Sequence, residues 1–202
     1  FGNSSIYSTD TDGAGLTVDA SDASWDSGTN SFTWEAWIRT VDKTKTQEII
    51  SFYGSGSGEL GENTLMRIHG SSIKSKIGSQ ELVSGATIFN NTWHHICFER
   101  TSATQFYLYV DGVGTASSGF SSHSIATNSV TIANHKVDGG DNTENFDGYI
   151  DEVRISNVAR YNGTNFTPST TAFTSDSNTQ LLIHSDESSE STIFTDSSSN
   201  AH

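Results

Sequence analysis

Residues Phe146-Asp147-Gly148-Tyr149-Ile150-Asp151-Glu152-Val153-Arg154-Ile155-Ser156 alternate with a period of two. Successive side chains of a strand point to opposite faces, so Asp151, Val153 and Ile155 share one face and Ile150, Glu152 and Arg154 the other. The stretch predicts a strand lining a sandwich core, with Asp151 on the apolar side. A carboxylate there must find hydrogen-bond donors, an arginine or a metal, because burying it unpaired costs several kcal/mol. A structural hydrogen bond is its default role and a metal the second.

The same periodicity extends outward along the chain. In Ser31–Thr40, Phe32, Trp34, Ala36 and Ile38 fall on one side and Thr33, Glu35, Trp37 and Arg39 on the other, which predicts a central strand. Further strands are expected at Ser4–Ser8, Leu16–Asp19, Glu48–Tyr53, Thr64–His69, Ser72–Ile77, Glu81–Ser84, Trp93–Arg100, Gln105–Val110, Val113–Ala116, Ser129–Ala133 and Gln180–His184. Asp111-Gly112 has the chemistry of a hairpin turn, which makes Asp111 a turn residue. Asp10-Thr11-Asp12-Gly13 reads as another turn, since the downstream glutamate of an EF-hand loop is missing. The glycine-rich run 54–63 contains neither Lys nor Arg and no helix-forming stretch follows it, so it is a sandwich-end loop and not a phosphate cradle. Asn157–Tyr161 reads as a short helical turn, 162–178 as an irregular wrap, and 180–202 as a strand and polar tail that complete the sandwich or start a following unit. The expected fold is all-β, a two-sheet antiparallel β-sandwich of jelly-roll type in a single domain over 1–202.

Composition agrees with strands that keep one solvated face. Of 202 residues only 33% are hydrophobic, and with one proline against 18 glycines the turns must rest on glycine and Asp-Gly pairs. The net charge of −14 argues against nucleic acid or anionic membranes as partners and leaves cations and neutral polymers open. Cys97 is the one cysteine, so there is no internal disulfide and no cysteine zinc site, and its place in Ile96-Cys97-Phe98 suits a small buried hydrophobe. No apolar run approaches the ~20 residues of a membrane-spanning helix. The first residues, Phe1-Gly2-Asn3, have neither a signal peptide nor an initiator methionine, which reads as a piece of something longer.

Four segments in order resemble a known family: Phe32-Thr33-Trp34-Glu35-Ala36-Trp37-Ile38, Trp93-His94-His95-Ile96, Tyr107-Leu108-Tyr109-Val110-Asp111-Gly112, and the Phe146 stretch with the following Asn157-Val158-Ala159-Arg160-Tyr161. Together they are similar to the "FTxExW", "WHH" and "LYVDG" strands and the closing strand of laminin-G-like, pentraxin-like jelly rolls of the concanavalin A-like lectin/glucanase superfamily. The resemblance implies the same sandwich. Leu181–Asp186 and Thr195–Asn200 are similar to the pattern that begins such a unit, here placed at the end. The strand at 181–184 is therefore expected either to fold back into its own sandwich or to insert into a neighbouring subunit.

Function follows from what that resemblance does and does not carry. The superfamily's hydrolases carry Glu-x-Asp-x-x-Glu on one strand, and that pattern is absent; Asp151 and Glu152 are adjacent, hence on opposite faces, and cannot form a retaining dyad alone. His94 and His95 are likewise adjacent and cannot both ligate one metal from a regular strand, and no Gly-x-Ser-x-Gly elbow is present. The expectation is a non-enzymatic recognition module, glycan-binding or adhesive, in a bacterial surface or phage-fibre protein located extracellularly or on a virion surface. The alternative is a structural spacer or decoration unit that binds only identical or neighbouring subunits. The pentraxin resemblance implies a calcium site joining Glu62 and Asn63 to Asp138 and Asp141, with Asp151 a separate metal candidate; Lys136 would oppose a cation there. Tyr53, Asn142 and Glu144 are the candidate ligand-binding residues. Tyr53, Phe89 and Tyr161 are candidate exposed aromatics, whereas Trp34 and Trp93 are expected in the core.

Overall fold

The described residues of the computed structural model are 4–9, 15–19, 27–40, 45–53, 64–125, 129–134, 144–188 and 191–200, the side chains of Asp19 and Tyr53 excepted. Among them the strands are β1 (Ile6–Ser8), β2 (Leu16–Asp19), β3 (Phe32–Arg39), β4 (Gln47–Tyr53), β5 (Thr64–His69), β6 (Ser72–Ile77), β7 (Gln80–Ser84), β8 (His94–Ser102), β9 (Gln105–Val110), β10 (Val113–Ala116), β11 (Ser129–Ile132), β12 (Gly148–Ser156) and β13 (Thr179–Ile183). The larger sheet runs β1-β12-β3-β8-β9-β10 with β13 also paired to β12, and the smaller runs β2-β11-β4-β5-β6-β7. Every strand pair within both sheets is antiparallel. This is the expected jelly-roll sandwich, with strand bounds within about two residues of the sequence reading. Residues 157–161 form bends, not a helical turn.

The core lies between the two sheets. Phe32, Trp34, Ala36 and Ile38 of β3 meet Ile50 and Phe52 of β4 and Met66 and Ile68 of β5 in one buried cluster. Trp34 stacks on Phe52 across the gap, with ring centroids 3.9 Å apart and planes 12° apart. Thus Trp34 is core, as its alternation predicts.

The Phe146 stretch departs from strict alternation. Asp151 lies opposite Trp37 and Arg154 opposite Glu35, so Glu152 and Val153 together oppose Ala36. This is a β-bulge, and its first residue, Glu152, has φ +51°. An inserted residue resets the period, so Ile150, Val153 and Ile155 all join the core. Asp151 consequently faces away from the core, on the side of Trp37, and not with Val153 and Ile155 as the uninterrupted pattern predicts.

Over β3 and β12 the outer face of the larger sheet is also covered. Segment 157–178 crosses it, and β3 and β12 are buried on both sides. Trp37, Phe173 and Leu182 form a second buried cluster there, with Trp93 packed against it. β13 pairs with β12 of its own chain, and its other edge is covered by the tail: Leu182 N–H donates to Asp196 Oδ1 at 2.9 Å and Ser197 N–H to the Leu182 carbonyl at 2.8 Å.

Candidate functional site

The polar side chains that alternate outward from β3, β8 and β12 converge beneath the wrap. Arg154 donates from Nε and Nη2 to Glu35 Oε1 at 2.8 and 2.6 Å. The other carboxylate oxygen of Glu35 meets His95 Nε2 at 3.1 Å and accepts the Tyr161 hydroxyl. Burial alone would raise the Glu35 pKa, but His95, Arg154 and Tyr161 outweigh it and hold the carboxyl at about 2. Glu99 accepts the backbone N–H of Tyr161 at 2.7 Å and of Gly163 at 3.1 Å, tying the wrap to β8. Glu152 accepts the Phe173 N–H at 2.6 Å and meets His184 Nδ1 at 2.9 Å. Glu35 and His95 are both 0% exposed, which bars a ligand from reaching them. The cluster is a latch that holds residues 157–178 on the sheet.

That latch relocates several residues singled out from the sequence. Tyr161 is half-buried, stacked on Phe166 with centroids 3.5 Å apart, and is not an open sugar platform. Phe89 packs against the main core. Asp151 is buried and accepts the Glu152 N–H at 2.8 Å, the structural role expected by default. Burial, with the charges of Glu152 and Asp186, pushes its pKa up to about 7 against that hydrogen bond. Glu144 is half-buried at the start of the run into β12, and its carbonyl accepts the Glu48 N–H at 2.7 Å. Glu62, Asn63, Asp138, Asp141 and Asn142 lie outside the described residues, as do Trp25 and the side chain of Tyr53. Among the described residues no group of three or more His, Cys, Asp or Glu is placed to hold a metal ion.

The structure assembles an aromatic row that the sequence reading did not single out. Tyr7 of β1 pairs with Tyr149 of β12, and Tyr149 with Arg39 of β3. The pair Ile38–His94 places Trp93 next in line beyond Arg39. Tyr7, Tyr149 and Arg39 each neighbour a main-core isoleucine and so point outward, while Trp93, expected in the core, instead packs half-buried against the outer cluster of Trp37, Phe173 and Leu182. The Tyr7 and Tyr149 rings lie 4.9 Å apart, and the Arg39 guanidinium sits over Tyr149 at 4.2 Å and over Trp93 at 5.4 Å. Gly148 permits the register, since a Cβ there would press on the Arg39 carbonyl and the Phe146 ring. Tyr7 is 60% exposed, on a sheet face that the wrap otherwise closes. At about 4.8 Å per strand the row spans about 14 Å, room for more than one sugar ring. Uninterrupted alternation puts Tyr149 on the core side with Asp151, and nothing local says that the strands of Tyr7, Tyr149 and Arg39 are neighbours.

Two clefts elsewhere, of about 260 and about 370 Å³, are lined by backbone, apolar and small polar groups. Asp196, their one ionisable lining residue, already accepts the Leu182 and Ser198 N–H groups.

Comparison with known proteins agrees with this architecture. A search of curated proteins finds no match. Among solved structures, a Bacteroides ovatus protein assigned to carbohydrate binding has 17% identity and TM-score 0.59, covering 98% of this chain and 54% of that one. The present chain thus spans about half of that relative's length. The heptameric SAP-like pentraxin of Limulus polyphemus has 14% identity and TM-score 0.58, with 91% and 92% covered. The CBM40 of a Ruminococcus gnavus IT-sialidase, solved with α2,3-sialyllactose, has 12% identity and TM-score 0.59, with 83% and 92% covered. At such identities the likeness is one of fold. The sequence profile of the Laminin_G_3 family matches residues 10–163, most of the sandwich, and the chain belongs to that family of the concanavalin A-like lectin/glucanases superfamily.

Proposed function

We propose that this chain is a non-enzymatic glycan-recognition module whose contact surface is the row Tyr7–Tyr149–Arg39–Trp93. The observation that carries the reading is the exposed ring of Tyr7, continued by Tyr149, on a sheet face otherwise sealed by the wrap. Pyranose rings offer apolar C–H faces that lie on aromatic rings, with hydroxyls left for polar neighbours. A structural spacer has no need of such a row. The reading is further supported by the family and by relatives of the same fold that are described as binding carbohydrate.

The module would serve adhesion in an extracellular or virion-surface protein, either bacterial or a phage fibre. A calcium ion would be held by Glu62 and Asn63 with Asp138 and Asp141, an all-oxygen donor set of the kind calcium takes, and would order the rim for Asn142 and Glu144. The test is a glycan array probed with and without calcium, using the intact chain and Tyr7→Ala. Binding by the intact chain and at least tenfold weaker binding by Tyr7→Ala are expected. An intact, folded chain that binds no glycan in either condition refutes the proposal and favours the spacer.

A further inference from the structure

We infer that the row selects sugars that carry a carboxylate, and that Arg39 is the selecting residue; this rests on the glycan-binding reading above. The chain has five arginines. Arg67 pairs with Glu81, Arg154 with Glu35 and Arg160 with Asp176, while Arg100 donates to the carbonyls of Asn30, Gly28 and His123. Arg39 has no oxygen partner among the described residues. Its Nε is buried and unpartnered, and its guanidinium lies over the Tyr149 ring at 4.2 Å and over the Trp93 ring at 5.4 Å.

A desolvated N–H without an acceptor is costly to leave unmade. A guanidinium resting on aromatic rings has already lost part of the side-chain freedom that binding would otherwise remove. Its planar fork matches the two oxygens of a carboxylate and is more weakly hydrated than an ammonium group. With Tyr149 and Tyr7 extending from it across the sheet, a uronic-acid ring lying on the tyrosines would set its carboxylate beside the Arg39 guanidinium. The chain's charge of −14 does not oppose this at close range, because salt screens charges beyond ~8 Å at physiological strength. It does disfavour densely charged polyanions such as nucleic acid.

The test is a titration of the intact chain, followed by NMR at the Arg39 Nε–H and the Tyr7 and Tyr149 amides. The probes are matched methyl glycosides: glucuronide against glucoside, galacturonide against galactoside, and the methyl esters of both acids. At least one acid should bind tenfold or more tightly than its neutral partner and its ester. Arg39→Gln should bring that ratio near one by weakening the acid more than the neutral sugar, Arg39→Lys should leave an intermediate ratio, and Tyr7→Ala should weaken acid and neutral alike. Unfolding temperatures of the Arg39 variants separate loss of selectivity from loss of fold. Equal binding of acids and neutrals, or an unchanged ratio in folded Arg39→Gln, overturns the inference and leaves glycan recognition standing. Failure of every glycoside here and every glycan on the array overturns both.

Discussion

Replacing Arg154 by Met tests whether the latch under the wrap is held by a charge pair that cannot be half removed. The change deletes two hydrogen bonds to Glu35 Oε1, at 2.8 and 2.6 Å, and a guanidinium 4.1 Å above the Phe173 ring. Glu35 is 0% exposed and would keep only His95 and Tyr161 as partners. Removing one member of a buried pair costs about 3–5 kcal/mol, because the other charge stays buried. With a urea m-value of about 2 kcal/mol per M, the unfolding midpoint should fall by about 1.5–2.5 M at pH 7. Equilibrium unfolding followed by tryptophan fluorescence measures this. Adding Glu35→Gln to Arg154→Met should recover most of the loss, since the uncompensated charge is its source. The pH arm has a definite sign. The folded Glu35 pKa, about 2, lies below its ordinary 4.5, so its contribution is present above pH 4.5 and is lost as pH falls toward 2; that acid limb should flatten in Arg154→Met. A midpoint loss under about 0.5 M at pH 7, or a double variant no more stable than the single, would refute the reasoning.

Three further outcomes follow from the same packing. Asp151 is raised from 3.8 to about 7 in the folded chain, so its destabilisation grows as pH rises from about 4 to about 7. Asp151→Asn should remove that slope and be more stable than the parent at pH 8, by on the order of 1–3 kcal/mol in urea titrations; an unchanged slope would contradict it. Gly112 has φ +76° and a Cβ there would collide with the Phe166 carbonyl, so Gly112→Ala should cost about 2–4 kcal/mol and admit protease within 163–175 first. Parent-like stability and protease resistance would count against this. Deleting 180–202 removes Leu181 and Ile183 from the main core and Leu182 from the second cluster, at about 1.5–3 kcal/mol each. The truncated chain should show no cooperative unfolding by circular dichroism; a truncated monomer that melts cooperatively would mean that β13 is dispensable.

The strands themselves were legible in the sequence. Alternation is a local property, and the period-two pattern of Phe32–Arg39 placed a strand and its core-facing residues, while 93–100 and 105–110 were placed as strands, without knowledge of their neighbours. What depended on pairing was decided by tertiary structure alone. The bulge at Glu152 reversed the expected direction of Asp151, because one residue inserted against Ala36 resets the alternation of β12. The wrap turned an apparently solvated row, Glu35, His95, Glu99 and Arg154, into a buried ionic latch and closed Tyr161 within it. Tyr7 and Tyr149 are 142 residues apart in the chain, Tyr149 and Arg39 are 110 apart, and Arg39 and Trp93 are 54 apart. They meet because antiparallel pairing brings β1, β12, β3 and the start of β8 side by side, and no local pattern records which strands a fold will make neighbours.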